Sequence, residues 1–118
     1  MDFILLGIGG ALGSVARFKI GKIIAEKANT TFPVGTFIIN ITGAILLGIV
    51  SGADVNKNIY LLFGDGFLGA YTTFSTFMYE GFNLFGENEK INAFIYILST
   101  LFLGIIGYII GYKIGKFI

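Results

Sequence analysis

The sequence contains no cysteine and no histidine. The first absence removes disulfides, iron–sulfur clusters and thiol catalysis, and the second removes the commonest metal ligand and proton shuttle. Charge is also scarce: Asp, Glu, Lys and Arg make up 13% of the residues, against about 25% in an ordinary soluble domain, and they sum to a net charge of +1. That balance leaves no electrostatic footprint for a nucleic acid. Serine and threonine are plentiful, yet no base stands ready to activate them as nucleophiles. An enzyme is therefore not expected.

What remains is apolar. Hydrophobic residues reach 55% and the mean hydropathy is +0.85, which places the chain in the membrane class. Four apolar spans are expected as helices at about residues 3–25, 34–50, 59–85 and 91–110, each near the roughly 17–25 residues that cross the hydrocarbon. The connections between them are too short for an extramembrane domain, so residues 1–118 are expected to form a single transmembrane domain. The first span begins with Asp2 rather than basic residues and carries its positive charges after the apolar run, so it reads as an uncleaved span and not a signal peptide.

The third span departs from plain lipid chemistry. Within Gly66-Phe-Leu-Gly-Ala-Tyr-Thr-Thr-Phe-Ser-Thr-Phe77, four hydroxyl residues are interleaved with two phenylalanines. At membrane depth every backbone group must be satisfied by protein or by a water-filled cavity, so a glycine-rich start followed by clustered hydroxyls points to a broken helix lining a polar path.

Basic residues give little orientation. Arg17, Lys19, Lys22, Lys27 and Lys90 fall on one side and Lys57, Lys113 and Lys116 on the other. This weak bias permits insertion both ways, or a fixed topology set by a small difference. Gly9 and Gly13, Gly48 and Gly52, and Gly107, Gly111 and Gly115 are spaced by four and share helix faces suited to close contact. Near-balanced charge, small-residue faces and too few helices to shelter a polar track together argue for an antiparallel homodimer.

The segments Gly9-Gly-Ala-Leu-Gly-Ser-Val-Ala-Arg17, Gly35-Thr-Phe-Ile-Ile-Asn-Ile-Thr-Gly43 and Gly69-Ala-Tyr-Thr-Thr-Phe-Ser-Thr-Phe77 resemble, in order, the three signature motifs of the Fluc/CrcB fluoride channels. The resemblance covers essentially the whole chain, and its third motif is the most specific. It implies an all-α membrane protein of four transmembrane helices with a broken third helix, assembled as a dual-topology antiparallel homodimer. It also implies two fluoride pores and a central structural sodium ion, with the lipid bilayer as surroundings.

By that resemblance Asn40 is the pore asparagine and Phe74 and Phe77 are the pore phenylalanines. Asn40 offers two amide N–H donors, and Thr36, Asn40 and Gly43 fall on one helix face. An interhelical hydrogen bond is the competing use of Asn40. A phenylalanine edge carries partial positive charge, so the two rings could meet a partly dehydrated anion without trapping it as lysine would. On spacing alone such a pair is core filler. Ser75 and Thr76 are candidates for a hydroxyl track, against back-bonding to their own helix. Tyr96, Ser99 and Thr100 put hydroxyls on adjoining faces of the fourth span and are candidates to continue the anion path, with aromatic packing the competing use of Tyr96.

The resemblance further implies that Gly69 and Thr72 supply backbone carbonyls to sodium, where a plain glycine kink is the alternative. Arg17 either draws anions toward a vestibule or snorkels to the headgroups; the family's usual following tyrosine is replaced by Phe18. Glu80 is a pore-adjacent candidate that must pair, protonate or face away, since a bare carboxylate would repel fluoride. Asp65 is unusual at its position and leaves the entrance of the third span open. The expected activity is passive fluoride export through the plasma membrane. A dual-topology proton-coupled multidrug transporter is the rival, but it needs a titratable acid deep in the first span, which has none beyond Asp2. A noncatalytic subunit of a larger membrane complex is a third possibility and needs no polar run.

Overall fold

The computed structural model describes residues 2–28, 33–72, 74–86 and 89–118, and for 74–76 the backbone alone. Helices α1 (Asp2–Ala28), α2 (Val34–Gly52) and α6 (Lys90–Lys116) are each long and apolar enough to cross a membrane. All three run past the expected C-terminal bounds. In α1 and α6 the added turns carry Lys27 and Lys113 with Lys116, cations that suit the negative end of the helix dipole.

Between α2 and α6 the chain is helical but discontinuous. It comprises α3 (Lys57–Ile59), a π-helix (Tyr60–Leu68), α4 (Gly69–Tyr71) and α5 (Phe74–Gly86). Asn56 starts this run, its side chain accepting from the Ile59 N–H at 3.0 Å. Asp54 turns the preceding connection at φ 54°, a left-handed conformation that aspartate tolerates better than most residues. The interruption falls at Thr72, whose φ of −80° and ψ of 154° are extended. It lies within the Gly66–Phe77 run where the sequence suggested a break; Thr73 itself is outside the described residues.

Glycine determines which helices touch. A Cβ on Gly9 would run into the Leu62 carbonyl oxygen, and one on Gly13 into that of Phe67. Gly48 and Gly52 sit in the same way on the carbonyls of Tyr108 and Tyr112, while Gly111 and Gly115 sit on those of Ile45 and Ile49. Residue numbers rise together along both seams, so α1 runs parallel to the π-helix and α2 parallel to α6. Without a hydrophobic drive between helices in lipid, such backbone approach is what holds them together. The small-residue faces read from the sequence as suited to a second subunit are thus spent inside the chain, and they carry no weight for dimer formation.

Two buried clusters flank the break. Ile39, Leu68 and Tyr71 join α2 to the π-helix and α4, whereas Phe77, Leu84, Ala93 and Tyr96 join α5 to α6. Large apolar side chains such as Phe3, Phe18, Phe82, Phe102 and Ile105 point outward, as lipid-facing residues do.

Candidate functional site

An open cleft of about 500 Å³ lies where the broken segment meets α2 and α6. Asn40 and Gly43 reach it from α2, Gly64 and Asp65 from the π-helix, and Gly69 and Thr72 from the break. Phe77 enters from α5 and Thr100 from α6. Among the pore and sodium candidates, Asn40, Phe77, Thr100, Gly69 and Thr72 therefore line one space. They converge because the break frees the third segment to leave α1 and α2 before the interruption and to join α6 after it.

Tyr96 is fully buried one turn before Thr100. Its ring lies 5.2 Å from that of Phe77 at an angle of 51°. Its hydroxyl lies in the field of Glu80 and near Thr36. Glu80 is half-buried and accepts a hydrogen bond from the Thr36 hydroxyl at 2.5 Å, at the short end of the range for a hydroxyl on a carboxylate. Glu80 thus has a hydrogen-bond partner on α2. Thr36 was legible in the sequence only as a register companion of Asn40, although its place one turn earlier on the same face was the signal for it.

The hydroxyls of Thr72, Ser99 and Thr100 do not form a simple row of free donors. Thr100 donates to the Tyr96 carbonyl at 2.6 Å, Thr72 to the Leu68 carbonyl at 2.9 Å, and Ser99 to the Ile95 carbonyl. Each hydroxyl has one proton, so in this conformation those three protons are committed to their own helix. Donation to an anion requires rotation about χ1. Ser75 and Thr76, like Phe74, belong to the α5 backbone, and their side chains lie outside the described residues. Arg17 is half-buried one turn beyond Gly13, on the α1 face that meets the broken segment, and makes no ion pair among the described residues.

Asp65, whose place was open in the sequence, is exposed on the cleft wall and is the one formally charged residue lining it among the described residues. Among the described residues no group of three or more acidic side chains is arranged for a metal. The extended Thr72 nevertheless ends α4, and helix ends leave carbonyls without helical partners. Neutral backbone oxygens of this kind suit a hard monovalent cation.

Similarity to known proteins agrees with this arrangement. The family model described as CrcB-like protein, Camphor Resistance (CrcB), matches residues 4–112. A Fluoride-specific ion channel FluC 2 of Clostridium acetobutylicum is 60% identical over 98% of this chain and 99% of its own. A Fluoride-specific ion channel FluC 2 of Bacillus cereus is 41% identical over 98% of each. A Fluoride-specific ion channel FluC of Thermosipho melanesiensis is also 41% identical, covering 98% of this chain and 97% of its own. Three membrane-length helices among the described residues, a cleft at the interrupted third segment and a match running nearly end to end lead to one assignment: this multi-pass membrane protein belongs to the CrcB family.

Proposed function

We propose that the protein is a fluoride-selective channel of the cell membrane that lets fluoride leave passively and so relieves its toxicity. The observation that carries this reading is the cleft that gathers Asn40, Phe77 and Thr100 around the break, in a chain 60% identical to a protein named a fluoride-specific ion channel. Fluoride surrenders a very favourable hydration shell on entering a narrow path, so the wall must return donors and positive potential without holding the ion too tightly. The Asn40 amide supplies donors, and the phenylalanine edges supply diffuse positive potential. Phe74, Ser75, Thr76, Tyr96 and Ser99 complete the path, with Arg17 drawing anions to its vestibule.

Glu80 stands beside the path with its carboxyl held by the Thr36 hydroxyl, which fixes its position and disperses part of its charge. The open cleft of a single chain supports a dual-topology antiparallel homodimer with two pores, each completed by residues of the second copy. A structural sodium ion on the Gly69 and Thr72 carbonyls of both copies would tie the breaks together; it supplies positive charge at the centre and takes no part in conduction. The test is efflux from liposomes holding the purified protein: fluoride should leave rapidly and chloride should stay. Equal release of both anions ends the selectivity claim, and efflux strictly coupled to protons favours a transporter.

A further inference from the structure

The break is gripped by α2 through two consecutive residues. Tyr71, 5% exposed, places its hydroxyl 3.1 Å from the Thr42 hydroxyl. The Thr42 proton is already given to the Ile38 carbonyl at 2.8 Å, so Tyr71 is the donor and Thr42 the acceptor. The Phe67 ring stacks on Tyr71 at 5.9 Å and 14°, which holds the phenol in plane. One residue along, Gly43 leaves room for the Thr72 methyl, which a Cβ there would meet head-on. Thr42 and Gly43 thus hold Tyr71 and Thr72, the last helical residue and the first extended one.

We infer that Tyr71 and Thr42 form a clasp that sets the position of the break relative to Asn40, and that halide discrimination by the cleft depends on it. Asn40 lies two residues before Thr42 on the same helix, so a slip of the break along α2 changes the gap between the asparagine amide and the Thr72 segment. A hydroxyl pair with a buried phenol resists such a slip because breaking it leaves that phenol unsatisfied in the membrane interior. Neither residue is a pore-wall donor: both act by position. The inference deepens the proposed function and rests on it for the halide readout.

The experiment uses the full-length protein as Thr42→Val, Tyr71→Phe, the double variant and Thr42→Ser, each first shown to purify as the same assembly as the parent. Two readouts are taken: fluoride and chloride efflux from liposomes, and hydrogen–deuterium exchange of peptides spanning residues 66–77. The single variants should exchange at least threefold faster at the break and lose at least fivefold in the fluoride-to-chloride ratio. The double variant should match the worse single within twofold, because both changes remove one bond, and Thr42→Ser should retain the parent's behaviour. Unchanged exchange in Tyr71→Phe overturns the clasp, whether or not the parent passes fluoride. Faster exchange with an unchanged halide ratio overturns its link to selectivity, and additive losses in the double variant overturn the pairing. A parent that passes no fluoride refutes the proposed function instead, while the exchange data still decide the clasp.

Discussion

Phe77 provides the sharpest separation between a pore residue and a packing residue, provided the substitution respects its burial. The side chain is 4% exposed and lies in the cluster with Leu84, Ala93 and Tyr96, while part of it reaches the cleft. Truncation to alanine is expected to cost about 3–5 kcal/mol through the cavity it leaves, enough to confuse lost conduction with lost structure. Phe77→Leu and Phe77→Met keep most of the volume and should cost less than about 1.5 kcal/mol, a fall of a few degrees in the thermal midpoint. Both remove the ring and its positive edge. If that edge is worth about 0.5–1.5 kcal/mol to a passing anion, on the scale of aromatic pair contacts, the rate should drop about two- to twelvefold. The assay is fluoride release from potassium-loaded liposomes after addition of a potassium ionophore, followed with a fluoride electrode. Folded Leu and Met variants that release fluoride at the parent's rate would falsify the role of the ring edge and leave Phe77 as a core residue bracing Tyr96.

Three further outcomes are expected. Asn40→Asp replaces two N–H donors with a negative charge at the cleft and should reduce fluoride efflux at least tenfold in protein that still assembles; retained efflux would make Asn40 an interhelical bond only. Asp65→Asn removes the charge facing the cleft and, for a water-filled gap of about 10 Å, should raise anion flux about twofold, with the gain shrinking in high salt. Dual insertion predicts that impermeant thiol reagents on intact cells label a cysteine at Lys57 in part of the population and a cysteine at Lys90 in the remainder. Complete labelling of one site with none of the other excludes two orientations.

Much of the architecture could be read from composition, because helices are the economical answer to an apolar chain in lipid. The interruption near Thr72 was legible for the same reason: hydroxyls following glycine at membrane depth need something other than lipid beside them. What the sequence hid was the use of each polar atom. Four-residue spacing of Gly48, Gly52, Gly107, Gly111 and Gly115 announced close contact but not whether the partner was a helix of the same chain. Likewise, Thr100 lines the cleft and Ser99 is not among its lining residues, and the direction of their protons depends on rotamer and not on spacing. The links Thr36 to Glu80 and Thr42 to Tyr71 join residues 44 and 29 positions apart, and only tertiary packing brings them together.

The division of the third segment between two sets of neighbours also constrains how the protein is made. Its first part, through Tyr71, packs on α1 and α2, which leave the ribosome earlier and can receive it at once. Its second part, α5, packs mainly on α6, which is synthesised after it. With 13 residues, α5 is shorter than the roughly 20 needed to cross the hydrocarbon unaided. The Phe77 side of the cleft therefore cannot take its final place until α6 has been made, so a chain truncated before α6 should insert its first half correctly and still leave that side of the cleft unbuilt.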